Sequence, residues 1–594
     1  MDSIIQTNID ELLSEFKKSG ANLNDPVSKL MVTTLLHQAQ KIKDEISAIP
    51  EKVVSRLCEY FIPKNKIDAM PALCLLQPSV KPKKGLEANP IADGTFFSFK
   101  IDNKTSLSYY PMFRNTMLPI TALHILTDKM LFSKGARTDL NLNFKGKVWI
   151  GLEMPVEIDS LENVSFYVSN TRGIMPKKIY VGGDMTELSY IEASNLTDIP
   201  LMTPFDSQQT NPTSIEVFST LQRHLAEIED GNLLYINDSL KDRDVFKYRA
   251  YPKPFQQYLE SNDLDRFENN TLWILFDFGA EYDVPENIEI IPNIVPAVNV
   301  SVNSVTLTQS SPIAKLTKGD GSYYLNIIET SLPSQKQGFN TINEDVVVRD
   351  FDVNCYNSNL LHRDVRNLYN RFVEDYHAFV DYHSLKDGEM VRTLRELVNK
   401  IGKSVISNTE VKNQFDEGTY VMRNIGLIGK PITIKVSYLT TNGKLGNSPK
   451  SGMTMENRKD VALEKEVKVI MSAIGGEDKA SADQQYEMLR YYTLTADRLY
   501  TKMDVDAFLR LQLLKEFGKD EMKRISYDLS IQGAGGSAKL VRGLYIDITF
   551  KDEKNYRKAL SIALDRKLHK MIVDKSCISM PVIVRMIIIN NGIS

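Results

Sequence analysis

The stretch that decides the architecture is Trp273-Ile274-Leu275-Phe276-Asp277-Phe278, an apolar and aromatic run of strand length. Such a run is typical of a strand at the centre of a β-sheet, where both faces are covered. A binding site is the alternative for a sequence that mixes aromatic and acidic residues. Because large apolar side chains are most often found inside, we predict a sheet centre here and a β-rich middle of the chain.

Shorter runs of β-branched and aromatic residues recur between turn residues on both sides of this strand. The predicted strands are 95–101, 147–152, 164–168 and several within 420–438. Val298, Val300 and Val302 alternate with polar residues, which predicts a strand with one face in solvent. The prolines of 63–90 favour an extended connector and edge strands.

Apolar residues spaced three and four apart from 361 to 379, and again from 389 to 401, predict a helical insert in the β-rich region. His377 and Asp381 lie four apart on its first helix, the spacing of two ligands on one face. The nearby imidazole and carboxylate side chains are His362, Asp375 and His383. A solvated helix surface is the more frequent origin of such a group, so we predict no metal site.

The end of the chain alternates helix and strand. A helix capped by Asp504 and ending at Phe517 comes first in this prediction. The elements predicted after it are strands 526–531 and 540–550, helix 555–573 and strand 582–589. The glycine-rich run 533–539 lies between two strands and does not open a helix, so it predicts a hairpin tip and not a phosphate loop.

Length, charge and motifs bound the function. With 594 residues the chain is multi-domain, and a net charge of −4 gives no electrostatic drive toward nucleic acid. Four scattered cysteines predict no disulfide framework and no zinc site, which favours the cytosol. The residues 290–314 are uncharged, but their prolines and polar residues exclude a membrane span; the amino terminus has no signal-peptide pattern.

No dinucleotide, Walker, zinc-protease or serine-hydrolase motif is present, so we expect no enzyme, catalytic residues, metal or cofactor.

The amino-terminal region carries an apolar seam. Asp25 and Pro26 predict a helix start, Pro50 divides the region into one helix to about Ser47 and a second over 51–61, and Pro63 ends the second. The seam residues are Leu35, Ile42, Ile46, Ile49, Val53, Leu57 and Phe61. They lie three to four, or seven, apart, in near-heptad register. The seam packs either on its own domain or in a bundle with helices of other chains, and we predict the bundle.

The predicted fold class is therefore α+β: amino-terminal helices, β-rich domains with a helical insert, and a carboxy-terminal α+β domain. The expected segments are 1–70 (helices of the bundle), 71–290 (β-rich), 291–350 (β extension), 351–470 (helical insert and β domain) and 471–594 (α+β).

Several segments, taken together and in order, carry a family resemblance. They are 57–63 (Leu-Cys-Glu-Tyr-Phe-Ile-Pro), 70–77, 164–169 (Val-Ser-Phe-Tyr-Val-Ser), 251–258, 293–299 (Asn-Ile-Val-Pro-Ala-Val-Asn) and 542–548. This order resembles the TssF family of type VI secretion baseplate proteins, which is related to a wedge protein of contractile phage tails. The family's Trp and Tyr pattern is replaced by Leu-Ser-Tyr-Tyr-Pro at 107–111, so the chain resembles a divergent, Bacteroidota-type branch.

The resemblance implies a structural role. Two copies of a TssF protein associate with one TssG in a wedge, and the wedges ring a VgrG spike and anchor sheath and tube. TssK and TssE are the other implied baseplate partners, and the location is the cytoplasm, at a baseplate docked on the inner membrane. The alternative function is a multi-domain hydrolase or carbohydrate-binding protein with a metal site near His377.

Overall fold

The computed structural model describes residues 54–81, 89–331, 346–351, 396, 418–423, 433–534 and 541–589, with short gaps inside several of these ranges. They form two compact units, a larger one from 68–349 and 418–479 and a smaller one from the remaining described residues. Strands dominate the larger unit and helices the smaller, so the predicted α+β class is confirmed.

The elements have the following bounds. In chain order, the strands before residue 200 are β1 (Leu73–Gln77), β2 (Asn89–Pro90), β3 (Phe97–Lys100), β4 (Ser106–Pro111), β5 (Thr116–Met117), β6 (Ala122–Leu126), β7 (Met130–Ser133), β8 (Ala136–Asp139), β9 (Lys147–Glu153), β10 (Ser165–Ser169), β11 (Lys178–Val181), β12 (Thr186–Leu188) and β13 (Tyr190–Glu192). The later strands are β14 (Gly231–Ile236), β15 (Thr271–Asp277), β16 (Glu289–Pro292), β17 (Val295–Asn299), β18 (Ser301–Leu307), β19 (Ile313–Lys315), β20 (Tyr323–Ser331), β21 (Val346–Phe351), β22 (Gly418–Arg423), β23 (Ile434–Thr441), β24 (Thr454–Asn457), β25 (Glu466–Ile474), β26 (Ile525–Ala534), β27 (Val541–Phe550) and β28 (Val582–Ile588). The helices are α1 (Lys64–Ile67), α2 (Phe255–Tyr258), α3 (Ser261–Leu264), α4 (Ala482–Thr495), α5 (Lys502–Phe517), α6 (Lys519–Met522), α7 (Glu553–Ser561) and α8 (Leu564–Lys575), with a 3-10 helix at Gly443–Asn447.

A closed barrel lies in the larger unit, with the strand order β1-β17-β4-β3-β24-β25. β1 pairs with β17 on one side and with β25 on the other. The prediction of an edge strand, made from the surrounding prolines, is therefore wrong for β1. Cys74 and Leu76 belong to one apolar cluster and Leu73 and Leu75 to another. Because both faces of β1 are covered, its sequence is apolar without alternation.

A β-sandwich forms the next layers of the same unit. The seven-stranded sheet β12-β11-β15-β9-β6-β7-β8 and the four-stranded sheet β13-β14-β10-β16 share one apolar cluster. Phe166 of β10 and Phe276 of β15 meet edge to face, with ring centroids 5.6 Å apart. β15 is the third of seven strands and is buried almost throughout, which confirms the predicted sheet centre.

The opposite face of the seven-stranded sheet is aromatic. Trp149 and Trp273 lie under the segment that carries α2 and α3. The Trp273 ring centroid is 4.8 Å from that of Phe255 and 5.1 Å from that of Phe267. Both faces of this sheet are therefore apolar, which explains the continuous apolar run of β15.

The predicted strand with alternating valines is in fact two strands. Val300 separates β17 of the barrel from β18, which belongs to the three-stranded sheet β18-β23-β20. Val302 is exposed, whereas Asn299 is buried, accepts a hydrogen bond from Asn442 N–H at 3.1 Å and donates one to Ser108 C=O at 3.1 Å. The prediction of the buried face is wrong here because the chain changes sheets at Val300.

The smaller unit holds the predicted carboxy-terminal α+β arrangement. β26 and β27 pair antiparallel, and β27 and β28 pair parallel, with α7 and α8 in the crossover that a parallel pair requires. Ile546 and Ile548 of β27 share an apolar cluster with Phe508 and Leu509 of α5. One face of the sheet thus forms the core of this unit.

Two helix predictions in this unit are corrected. Thr501 caps α5 and Asp504 is the third helical residue; the Asp504 carboxylate accepts a hydrogen bond from Thr501 N–H at 2.8 Å in a capping box. The helix expected over 555–573 is broken between α7 and α8 at Ala563, whose φ of 46° is left-handed and ends helical hydrogen bonding. No glycine or proline marks this break in the sequence.

Other predictions lie outside the described residues. These are the first amino-terminal helix, the helix of the insert at 361–379, the helix at 389–401 apart from Glu396, which is helical, and the tip of the β26–β27 hairpin. The five segment boundaries stay predictions. The barrel takes strands from the segments expected at 71–290, 291–350 and 351–470, and residue 470 lies inside β25.

Candidate interaction site

The helix that precedes Pro63 carries apolar residues on two faces. Val54, Leu57, Cys58, Tyr60 and Phe61 are helical, as predicted for 51–61. In a helix of 3.6 residues per turn, positions 54, 58 and 62 share one side, and positions 57, 60 and 61 share another. The two sets have different surroundings.

The first face anchors the helix to the smaller unit. Cys58 and Ile62 are buried in the same cluster as Met488 and Tyr491 of α4. The Cys58 thiol donates to the carbonyl of Gln485 at 3.4 Å. Cys58 and Cys74 are both free and buried, and they pack as small apolar groups.

The second face is uncovered within the described part of the chain. The exposed fractions are 39% for Leu57, 84% for Tyr60 and 57% for Phe61. Single exposed apolar residues are ordinary, but three on one helix face, two of them aromatic, form the kind of patch that marks a binding surface. We name Leu57, Tyr60 and Phe61 the exposed helix face.

The predicted seam reaches this face. Its members Leu57 and Phe61 lie on the exposed helix face, four residues apart. The remaining members, Leu35, Ile42, Ile46, Ile49 and Val53, lie outside the described residues. The seam as a whole stays a prediction.

A serine, a histidine and a carboxylate meet elsewhere, in the seven-stranded sheet of the larger unit. His124 of β6 lies 2.9 Å (Nδ1) from Ser133 Oγ of β7 and 2.8 Å (Nε2) from Glu153 Oε1 of β9. Because a carboxylate only accepts, Nε2 donates to Glu153, and the neutral ring then accepts from the Ser133 hydroxyl at Nδ1. This is the connectivity of a catalytic triad.

Burial argues against catalysis by this triad. His124 is 0% exposed, Ser133 3% and Glu153 4%, and the rings of Phe267 and Trp273 flank the imidazole. Burial lowers the pKa of His124, although Glu153 pulls it the other way, so the ring is neutral near pH 7. A nucleophile enclosed in this way meets no substrate, and we interpret the triad as a polar crosslink between three strands.

This crosslink could not be predicted from the sequence, because its members lie on separate strands at spacings that match no motif. Within the described residues, no group of three or more metal-ligating side chains comes together. His362, Asp375, His377, Asp381 and His383 lie outside them. No helix in the described part of the chain is long and apolar enough to cross a membrane.

Comparisons with known proteins find similar solved structures, two of which are described here. No protein-family model matches the chain, and no curated protein sequence matches it. A chain in the cryo-electron microscopy structure of the type VI secretion system TssK-TssF-TssG baseplate subcomplex is 10% identical, with a TM-score of 0.41, over 95% of this chain and 96% of that one. A chain in the baseplate complex from the type VI secretion system is 11% identical, with a TM-score of 0.34, over 100% and 98%. At these identities and scores, the similarity by itself assigns neither a family nor a function.

Proposed function

We propose that this chain is a structural, non-enzymatic baseplate component of a type VI secretion system, of the TssF kind. The ordered sequence segments that resemble that family support the proposal. The two-unit body supports it as well. The one arrangement among the described residues that resembles a catalytic triad, Ser133, His124 and Glu153, is buried.

The observation that carries the proposal is the helix before Pro63. Cys58 and Ile62 fix it to the smaller unit, while the exposed helix face, Leu57, Tyr60 and Phe61, remains available. A helix fixed on one side and apolar on the other suits a bundle with helices of another chain. The other seam residues precede this helix in the sequence, and their spacing continues that of Leu57 and Phe61.

In this proposal the partner at the exposed helix face is a TssG protein, and a second copy of the chain completes the wedge. TssK, TssE and the VgrG spike are the further neighbours, in a cytoplasmic baseplate docked at the inner membrane. The β-rich body holds neighbouring subunits at fixed positions, and firing requires the ring to change between two packed states.

Co-purification tests the proposal. The full chain is expressed with the TssG protein of the same system, as wild type and as Leu57→Asp and Phe61→Asp. A carboxylate in a buried apolar contact costs several kcal/mol, so each substitution should reduce the recovered complex at least tenfold. Ile46→Asp and Val53→Asp test the rest of the predicted seam.

Leu560→Asp is the matched control, because Leu560 is an exposed leucine (51%) on α7 of the same unit. Its complex yield should equal that of the wild type. Equal yields for Phe61→Asp and wild type would refute the bundle, and circular dichroism checks that each variant is folded.

A further inference from the structure

A chemically labile pair of residues lies at the junction between the barrel and the sheet β18-β23-β20. The pair is Asn442-Gly443, directly after β23 and at the start of the 3-10 helix Gly443–Asn447. The chain has two Asn-Gly pairs, and the other, at 591–592, lies outside the described residues. Asparagine before glycine is especially prone to deamidation, because glycine has no Cβ to keep its backbone nitrogen away from the asparagine side chain.

Deamidation is a cyclisation within the pair. The backbone nitrogen of Gly443 attacks Cγ of Asn442, and a new N–Cγ bond forms. The Cγ–Nδ2 bond breaks, and the leaving amide group takes the proton of the Gly443 nitrogen and departs as ammonia. Water then opens the cyclic imide at either carbonyl, which gives aspartate or isoaspartate. Since water is the one other reactant, the fold controls the rate by holding the two reacting atoms in or out of a reactive arrangement.

A chain of hydrogen bonds holds the attacking nitrogen. Gly443 N–H donates to Thr441 Oγ1 at 3.3 Å. The Thr441 hydroxyl donates in turn to Asn299 Oδ1 at 3.3 Å, because an amide oxygen only accepts. Asn299 is 0% exposed and Thr441 1%, so water does not compete for these bonds. The N–H that the cyclisation must give up is therefore committed to a buried acceptor.

The Asn442 side chain is held at both ends of its amide. Its Oδ1 accepts from Asn299 Nδ2 at 3.4 Å, and its Nδ2 donates to Gly321 C=O at 3.4 Å. The backbone N–H of Asn442 also donates to Asn299 Oδ1, at 3.1 Å. Rotation of the amide towards the nitrogen of Gly443 would break both side-chain contacts. The attacked carbon is thus held as well.

The backbone that follows the pair is fixed in the same way. Gly443 has a left-handed φ of 53°, and a Cβ at this position would collide with Asp478 Oδ1. The same carboxylate oxygen accepts from Lys444 N–H at 2.9 Å. Further along the 3-10 helix, the hydroxyl of Tyr109 in β4 donates to Gly446 C=O. These contacts fasten the turn to the barrel and limit the movement that cyclisation requires.

We propose that Asn442-Gly443 is a latent deamidation site that Asn299 keeps unreactive in the folded protein. Asn299 holds the Asn442 amide directly and the Gly443 nitrogen through Thr441. Conversion to aspartate would set a carboxylate oxygen against Gly321 C=O, where an N–H now donates. Isoaspartate would add a methylene group to the main chain. Deamidation therefore weakens this junction irreversibly, and the inference does not depend on the proposed function.

The test incubates the full chain in mildly alkaline buffer as wild type, Asn299→Ala and Asn303→Ala, and locates deamidation at Asn442 by mass spectrometry of peptides. Asn303→Ala is the matched control, because Asn303 donates to Thr440 Oγ1 and Ser301 C=O in the same sheet. Folded wild type and this control should react at the same slow rate, and wild type unfolded in guanidinium chloride much faster. Folded Asn299→Ala should react roughly tenfold faster than folded wild type, because three hydrogen bonds are lost together.

Thr441→Val keeps the result decisive if circular dichroism shows that Asn299→Ala does not fold. It removes the acceptor of Gly443 N–H and keeps the shape of the side chain, so it should also react faster than Asn303→Ala. Asn442→Asp reproduces one product, and by tryptophan fluorescence its larger unit should unfold at a lower urea concentration than wild type. Folded wild type that reacts as fast as the unfolded chain would overturn the proposal. So would a folded Asn299→Ala or Thr441→Val that reacts no faster than Asn303→Ala, or an unchanged urea midpoint for Asn442→Asp.

Discussion

Acidification should weaken the larger unit through His124. Burial lowers the pKa of His124 below the 6.5 of an exposed histidine. At a pH between the pKa of His124 in the folded chain and its pKa in the unfolded chain, the unfolded chain binds a proton that the folded chain does not. The free energy of unfolding therefore rises with pH in this range. The stabilisation by the neutral ring is complete above about pH 6.5 and falls as the pH drops below it, by up to about 1.4 kcal/mol per pH unit.

The structure supplies the probe for this prediction. The chain has two tryptophans, Trp149 in β9 and Trp273 in β15, and both lie in the sheet that holds His124. Tryptophan fluorescence during urea unfolding therefore reports the larger unit. Between pH 7.5 and pH 5.5 we expect the free energy of unfolding to fall by up to about 1.4 kcal/mol, the equivalent of one pH unit below 6.5.

The matched variant is His124→Gln, which keeps polar atoms but has no proton to gain. At pH 7.5 it should be less stable by about 1–3 kcal/mol, because the hydrogen bonds of Glu153 and Ser133 to the imidazole are lost. Its stability should change less with pH than that of wild type. The charged groups around the ring are Glu153, Lys134 and Glu268; the hydrogen bond from Lys134 lowers the pKa of Glu268, which stays ionised at pH 5.5. Equal pH dependence in both proteins would refute the assignment.

Three further predictions concern separate parts of the molecule. Ile62→Ala should lower the stability of the smaller unit by about 2–4 kcal/mol in thermal unfolding followed by circular dichroism, whereas Phe61→Ala should change it by less than about 0.5 kcal/mol, since Ile62 is buried and Phe61 exposed. Gly151→Ala should destabilise the larger unit by about 1–3 kcal/mol in the fluorescence assay, because its Cβ would lie 2.8 Å from the Trp273 ring; a neutral effect would show that the ring moves freely. Elemental analysis of the purified full chain should find no stoichiometric zinc or iron, and one equivalent of either would favour the metal-dependent alternative.

The sequence predicts local elements better than it predicts their neighbours. The run around Trp273 and the strands of the carboxy-terminal domain are apolar enough to be recognised, and they lie where expected. Cys74 in β1 could not be placed inside a barrel, because that depends on pairing with residues near 297 and 471. The break at Ala563 has no turn residue to announce it, and the contacts of His124 depend on strand register.

For the interaction site, too, the sequence predicts the local element but not its neighbours. The helix before Pro63 and its apolar character follow from spacing, but spacing alone does not tell which side is covered. The burial of Cys58 and Ile62 and the exposure of Leu57 and Phe61 result from packing against α4. The rest of the seam awaits the co-purification test.

The closed barrel has a consequence for synthesis on the ribosome. Its first strand begins at Leu73, and the strand that seals it ends at Ile474, so most of the polypeptide must leave the exit tunnel before the ring can shut. Until then β1 has one open side, and chains truncated before residue 466 should aggregate or recruit chaperones. Such long-range closure is slow, and premature termination late in the message should therefore be costly to the yield.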